Sequence, residues 1–224
     1  MAERVQRVRP TVRELSTVVV ALVLLLGLAF VAASLTKDAQ IFSLSPPDSD
    51  TADISEDQKL DLYRTFYTAW AALILVTPAL CTFLYRRTSQ LAARYWLAFW
   101  SASLVVFLVH FYWAVVIIFD AKWERILETT RVSQPWPDAL LALWWVVDVI
   151  IAWTLPTERL WIRIERALVH LLAFILFFAG SALEGEILAS RVLGVLLALG
   201  VLIAVVDWLI VQWTNRTTRT EHVI

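Results

Sequence analysis

Hydrophobic and polar residues along this chain are grouped into long blocks rather than alternating with a short period. Each apolar block is about 20 residues long, the length that an α-helix needs to cross roughly 30 Å of hydrocarbon. The pattern predicts an all-α, polytopic integral membrane protein: a six-transmembrane-helix bundle that forms one domain over residues 1–224. The predicted helices cover about 15–35, 62–85, 95–119, 138–155, 163–183 and 190–213.

Two of the polar connections fall on the same predicted side of the membrane and differ in character. Residues 36–61 contain six aspartates, one glutamate and two prolines, a composition typical of a solvated acidic outer loop. Residues 120–138 place Trp123, Ile126 and Leu127 on one helical face among charged residues. This second outer loop is therefore predicted to contain a short interfacial helix.

The overall composition agrees with a membrane protein and excludes several kinds of site. Hydrophobic residues make up 60% of the chain and charged residues 17%, against about 50% and 25% in soluble domains. The net charge of −1 gives no indication of a nucleic-acid partner. Cys81 is the single cysteine, so an intrachain disulfide and a cysteine-rich metal site are both excluded, and no metal site is predicted.

The distribution of lysine and arginine predicts the orientation. Seven fall on the side of the two outer loops, namely Lys37, Lys59, Arg64, Lys122, Arg125, Arg131 and Arg191. Twelve fall on the other side, namely Arg4, Arg7, Arg9, Arg13, Arg86, Arg87, Arg94, Arg159, Arg163, Arg166, Arg216 and Arg219. Because the richer side is normally cytoplasmic, both termini are predicted to be cytoplasmic. We expect the inner (plasma) membrane of a bacterium, since no organellar presequence is recognisable.

The first apolar run has a second interpretation. An arginine-rich start, an apolar middle and the sequence VAAS at 31–34 would allow signal peptidase to cut after Ala33. Cleavage would leave five helices and an external N-terminus. The run is long for a signal peptide, so a retained helix is the expectation.

Four ionisable side chains interrupt the apolar runs: His110, Asp148, His170 and Asp207. Counting helical rise from the outer ends puts His110 and Asp148 at a depth of about 15 Å, and the other two at about 21–24 Å. These depths predict one His–Asp pair in each of the last two hairpins. Such a pair could fasten its hairpin or relay protons, unless the helices face the wrong way and no pair forms.

The histidines also suggest a cofactor, haem b, which membrane cytochromes usually hold between two histidines on different helices. His110 and His170 are the candidate ligands. In overall layout the six helices resemble ferric-reductase-like transmembrane domains. That resemblance implies haem histidines on the third and fifth helices, where His110 and His170 lie. The chain lacks the repeated histidines of the two-haem versions of those domains.

Catalytic motifs are scarce, with neither an HExxH nor a GxSxG sequence present. Arg159, Arg163 and Arg166 are candidates for holding anionic lipid headgroups, although the positive-inside rule alone would place arginines there. We therefore expect a non-catalytic integral membrane subunit or accessory factor of a larger complex, and not an enzyme. Its expected partners are lipid and other membrane subunits or further copies of itself. The alternative is an electron-transfer or proton-relay protein that uses the buried histidines and aspartates.

Overall fold

The computed structural model describes residues 9–44, 55–129, 134–155 and 159–221, and these ranges are almost entirely helical. The helices are α1 (Val12–Ala39), α2 (Glu56–Tyr85), α3 (Gln90–Tyr112), α4 (Trp123–Glu128), α5 (Pro135–Thr154), α6 (Leu160–Phe178) and α7 (Leu188–Glu221). π-Helical turns continue α3 through Trp113–Ile118 and α6 through Ala179–Leu183. Within these ranges six helices are long and apolar enough to cross a membrane, which confirms the predicted number.

The observed helices extend beyond the apolar runs that predicted them, because polar residues cap their ends. Ser55 Oγ accepts a hydrogen bond from the Gln58 backbone N–H at 3.3 Å, and Gln58 Oε1 accepts one from the Ser55 N–H at 2.9 Å. This reciprocal cap starts α2 at Glu56. Since α1 continues to Ala39, the acidic connection is shorter than the predicted 36–61. Residues 45–54 of it lie outside the described ranges.

The second outer connection contains the short helix α4, in the segment for which the sequence predicts an interfacial helix. Ile126 of this helix is buried, whereas Leu127 is exposed. The Trp123 ring packs edge-on against Trp136, with 5.0 Å between the ring centroids. The helix α4 is thereby held against the bundle through one face.

The long helices alternate in direction, so the bundle has two distinct ends. Arg94 near the start of α3 lies 3.8 Å from Glu14 near the start of α1. Trp153 near the end of α5 donates a hydrogen bond of 2.9 Å to Ser101 in the first half of α3. We call the end at which α1, α3 and α6 begin the proximal end, and the opposite one the distal end. The connections 40–55 and 119–134 lie at the distal end.

The helix α2 is the centre of the bundle and contacts α1, α3, α6 and α7. In its most apolar stretch 44% of the residues are buried, against 17% in α1 and in α7. Its small and branched residues pack around two large indoles, in a core that includes Ala72, Leu75, Val76, Trp100 and Trp145. The first and last helices therefore keep long apolar faces on the outside, as helices bordered by lipid or by another protein do.

The distal half of α1 is packed into the bundle. Ala33 is fully buried beside Leu62 and Tyr63 of α2. Three residues later, the Thr36 hydroxyl and the Tyr67 hydroxyl form a hydrogen bond of 2.7 Å. The peptide bond that signal peptidase would have to cut thus lies inside a packed helix.

Close approach of α7 to the end of α6 depends on Gly194. A Cβ atom at this position would lie 2.6 Å from the Ala182 nitrogen and 2.8 Å from the Ala182 Cβ. We expect Gly194→Ala to lower the free energy of unfolding by about 1–3 kcal/mol through overpacking. At Gly27 on α1 a Cβ meets nothing within 4 Å, so Gly27→Ala should be neutral or slightly stabilising. Thermal unfolding of both variants in one detergent measures the difference, and equal midpoints would contradict the packing argument.

Candidate functional site

Neither of the two predicted His–Asp pairs forms, and both predictions are wrong. His110 donates from Nδ1 to the backbone carbonyl of Thr65 at 2.9 Å instead of contacting Asp148. Asp207 is exposed on α7 and accepts a hydrogen bond of 2.6 Å from the Tyr85 hydroxyl instead of meeting His170.

The pairing fails because the ends of neighbouring helices do not lie at a common depth. Asp148 is level with Trp100, which precedes His110 by ten residues in α3, a displacement of about 15 Å along the axis. The helix α5 has 20 residues, whereas α3 with its π-helical turn spans 29. A depth counted from the distal end of α5 is therefore not comparable with one counted from the distal end of α3.

The two carboxylate oxygens of Asp148 are bound by two other helices. Asp148 is fully buried, and its Oδ2 accepts a hydrogen bond of 2.7 Å from Trp100 Nε1 on α3. Its Oδ1 accepts one of 3.0 Å from Nε of Arg166 on α6, which makes a buried ion pair. Arg166 is turned into the bundle, so its predicted lipid-headgroup role is wrong. That role stays a prediction for Arg159 and Arg163.

His170 on α6 has both ring nitrogens and both ring faces occupied. Its Nδ1 donates to the Arg166 carbonyl oxygen at 2.7 Å, and its Nε2 accepts from Trp96 Nε1 at 2.8 Å. The ring stacks between Phe83 and Trp100, with centroid separations of 3.9 and 3.8 Å. Because a carbonyl can only accept and an indole N–H can only donate, these bonds define a neutral imidazole with its proton on Nδ1.

The stack around His170 continues in both directions as a column that joins four helices. On one side Trp145 of α5 lies 4.3 Å from Trp100, between ring centroids. On the other side the guanidinium carbon of Arg86, just after α2, lies 3.8 Å from the centre of the Phe83 ring. Stacked aromatic rings and a cation over a ring face are both favourable contacts. The column therefore fastens α2, α3, α5 and α6 at one level.

Tryptophan indoles supply much of the hydrogen bonding between helices. In the described part of the chain six of them donate to a side chain of another helix: Trp70 to Ser190, Trp96 to His170, Trp100 to Asp148, Trp113 to Asp61, Trp144 to Glu165 and Trp153 to Ser101. Hydrogen bonds of this kind fasten helices in a lipid environment at about 0.6–2 kcal/mol each. The sequence shows the number of tryptophans but not the direction of their N–H groups.

Glu165 adds a second carboxylate that was not predicted from the sequence as part of the site. Its Oε1 accepts a hydrogen bond of 2.8 Å from Trp144 Nε1, and it lies close enough to Asp148 to interact with it electrostatically. Its Oε2 is buried and has no hydrogen-bond partner among the residues described. A proton on Glu165 would lower the cost of burying two neighbouring carboxylates. In the sequence this residue stands between arginines and resembles part of a cytoplasmic helix start.

The two candidate haem ligands do not form a matched pair. The hydrogen bonds of His170 leave neither ring nitrogen for an iron atom, and the stacked rings leave no open face. His110 lies apart from His170, on the wall of a cavity of about 700 Å³ in the distal half. In the described ranges no three His, Cys, Asp or Glu side chains group as a metal ion would require. The residues present therefore do not fit the haem b that the sequence suggested.

No protein-family model, curated protein or solved structure matches this chain.

Proposed function

We propose that the protein is a non-catalytic integral membrane subunit, or accessory factor, that packs against a larger membrane complex. The observation that carries this proposal is that three of the most buried ionisable side chains, Asp148, Arg166 and His170, are held by hydrogen bonds inside the bundle. Asp148 is held by Trp100 and Arg166, and His170 by Trp96 and the Arg166 carbonyl. Groups held in this way fasten helices to one another and offer no free base, nucleophile or metal ligand.

The outer faces of the first and last helices support the same proposal. Leu24 and Leu28 on α1 are 59% and 62% exposed, and Leu202 and Ile203 on α7 are 57% and 68% exposed. A continuous apolar face can border lipid, a different subunit or a second copy of the chain. A small bundle with two such faces suits a protein that assembles with others in the membrane.

In this proposal the proximal end faces the cytoplasm of a bacterial inner membrane, with both termini on that side. The support is the position of the arginines: Arg9, Arg86, Arg87 and Arg159 all lie next to proximal helix ends. The lysines Lys37, Lys59 and Lys122 lie near distal helix ends instead. The positive-inside rule assigns the arginine-rich end to the cytoplasm.

Native electrophoresis of membranes solubilised in digitonin tests the accessory role. We expect the 25.5 kDa chain to migrate within a larger assembly. Adding bulky side chains to the exposed face that contacts the partner should release the chain from this assembly. A tryptophan on that face is accepted by lipid but clashes with a packed partner. The two variants to compare are Leu24→Trp/Leu28→Trp on α1 and Leu202→Trp/Ile203→Trp on α7. A chain that migrates alone and stays fully stable after purification would contradict the proposal.

A second function, proton relay, is favoured by one observation, namely the carboxyl groups of Glu165 and Asp148 side by side in the bundle. Glu165 Oε2 is the oxygen on which a transferable proton could reside, because it lacks a donor in the described structure. If the protein relays protons, Glu165→Gln should abolish proton transfer through the protein while the amount of folded protein stays unchanged. The accessory role requires assembly to survive this substitution.

A further inference from the structure

The cavity in the distal half has the size and the walls of a small-molecule site. It has a volume of about 700 Å³ and lies between α2, α3, α5, α6 and the start of α7, with α4 at its edge. Both π-helical turns border it, through Ala114 and Gly180. Ligand sites are typically apolar cavities of about 300–1,000 Å³, and π-helical turns are frequent at functional sites. Its walls are rich in aromatic rings, among them Phe66, Trp70, Phe107, Phe111 and Phe177.

Three polar groups on the wall have hydrogen-bonding capacity left over. His110 uses Nδ1–H for the Thr65 carbonyl, so Nε2 carries a lone pair, and this nitrogen has no donor among the residues described. Ser190 is 3% exposed and accepts from Trp70 Nε1, yet its own O–H has no acceptor in the described part of the chain. The Trp123 indole N–H is buried without an acceptor there. A ligand for this wall must both donate and accept.

The charge of the wall restricts the ligand further. Asp138, Glu184 and Glu186 border the cavity, and the carboxylates of Asp138 and Glu184 are close enough to interact electrostatically. The Asp138 carboxylate on this wall disfavours a phosphate or another anionic head group. The ester oxygens of a lipid can only accept hydrogen bonds, so they cannot serve as the donor to His110 Nε2.

We propose that this cavity binds an uncharged prenylated quinol, an aromatic diol with an isoprenoid tail. One hydroxyl donates to His110 Nε2, another oxygen of the head group accepts from Ser190, and the ring packs among the aromatic side chains of the wall. The tail follows the apolar surface between the helices. The site is independent of the accessory role, since it uses none of the residues that fasten the column around His170.

Binding is tested with the full chain in phosphatidylcholine nanodiscs, by calorimetric titration with a quinol that carries a single prenyl unit. We expect saturable binding to the wild type. Gly180 lines the cavity and a Cβ there meets nothing within 4 Å, so Gly180→Leu adds bulk at the cavity wall without displacing the helix and should weaken binding more than about tenfold. Gly27→Leu is the matched control, because it makes the same change in equally open space on the exposed face of α1. It should leave the Kd unchanged.

The variant His110→Asn removes the proposed contact with the ligand but keeps the hydrogen bond to Thr65. An asparagine amide can still donate to the Thr65 carbonyl, but it lacks an atom in place of Nε2. We expect about tenfold weaker binding at an unchanged thermal midpoint, the effect of one lost hydrogen bond.

The absence of saturable binding to the wild type overturns the proposal, as do equal affinities for wild type and Gly180→Leu. Displacement of the quinol by phosphatidylglycerol assigns the cavity to anionic lipid and overturns it as well.

Discussion

Replacing Arg166 by methionine is expected to destabilise the bundle by about 3–5 kcal/mol, because it leaves the Asp148 carboxylate buried without its counter-ion. Both partners are almost inaccessible, with Asp148 0% and Arg166 5% exposed. Methionine is long enough to fill most of the space of the arginine stem, so the lost charge dominates the effect. Thermal or denaturant unfolding of the purified variant in detergent measures it.

Two further variants show whether the ion pair is the cause. Asp148→Asn combined with Arg166→Met removes both charges, and asparagine can still accept from Trp100 Nε1. This double variant should regain most of the lost stability, so the two substitutions should be strongly non-additive. Arg163→Met makes the same change in a half-buried arginine of the same helix. Equal effects of Arg163→Met and Arg166→Met would show that the pair does not fasten the helices.

His170→Ala is expected to have a similarly large effect, about 3–5 kcal/mol, because it opens a gap between Phe83 and Trp100 in the column. His170→Phe keeps a ring in the column but leaves the Trp96 N–H without an acceptor. This variant should cost about 1–3 kcal/mol. Adding Trp96→Phe removes the unsatisfied donor, so the double variant should be more stable than His170→Phe alone.

The same His170 variants test whether the ring nitrogens are closed to a haem iron. With both nitrogens engaged, His170 binds no haem iron, and the visible absorption spectrum of the purified wild type should be flat in both oxidised and dithionite-reduced samples. The His170→Phe spectrum should be identical. A Soret band in the wild type that disappears in His170→Phe would contradict the hydrogen-bond assignment and restore the haem alternative.

The six helices could be predicted because each apolar run alone carries the length and composition of a membrane span. Their ends could not be predicted equally well, since polar residues such as Ser55 and Gln58 extend helices by capping them. The burial of Asp148 was also evident from the sequence. Its partners were not, because they depend on the relative lengths of α5 and α3 and on which way each helix faces.

Arg166 is the clearest case in which a count of charged residues fails to predict where a side chain lies. It lies only six residues after the start of α6, so a positive-inside count includes it among the surface arginines. Its side chain instead points to Asp148, which follows from the rotation of α6 about its axis. The cavity was unpredictable for a related reason. His110 and Ser190 are 80 positions apart in the sequence, and only the folded bundle brings them onto one wall.

The stacked but tilted packing of Trp100 and Trp145 gives the protein an optical signal. Their ring centroids are 4.3 Å apart and their planes meet at 29°, so the electronic transitions of the two indoles couple strongly. Such coupling produces a paired positive and negative band in circular dichroism. Trp123 and Trp136 are also close, at 5.0 Å, so the part of the signal that Trp100→Phe removes is the part that follows the docking of α5 on α3. The amide bands report helix content throughout the chain. Tertiary assembly and helix formation can therefore be followed separately without attaching a dye.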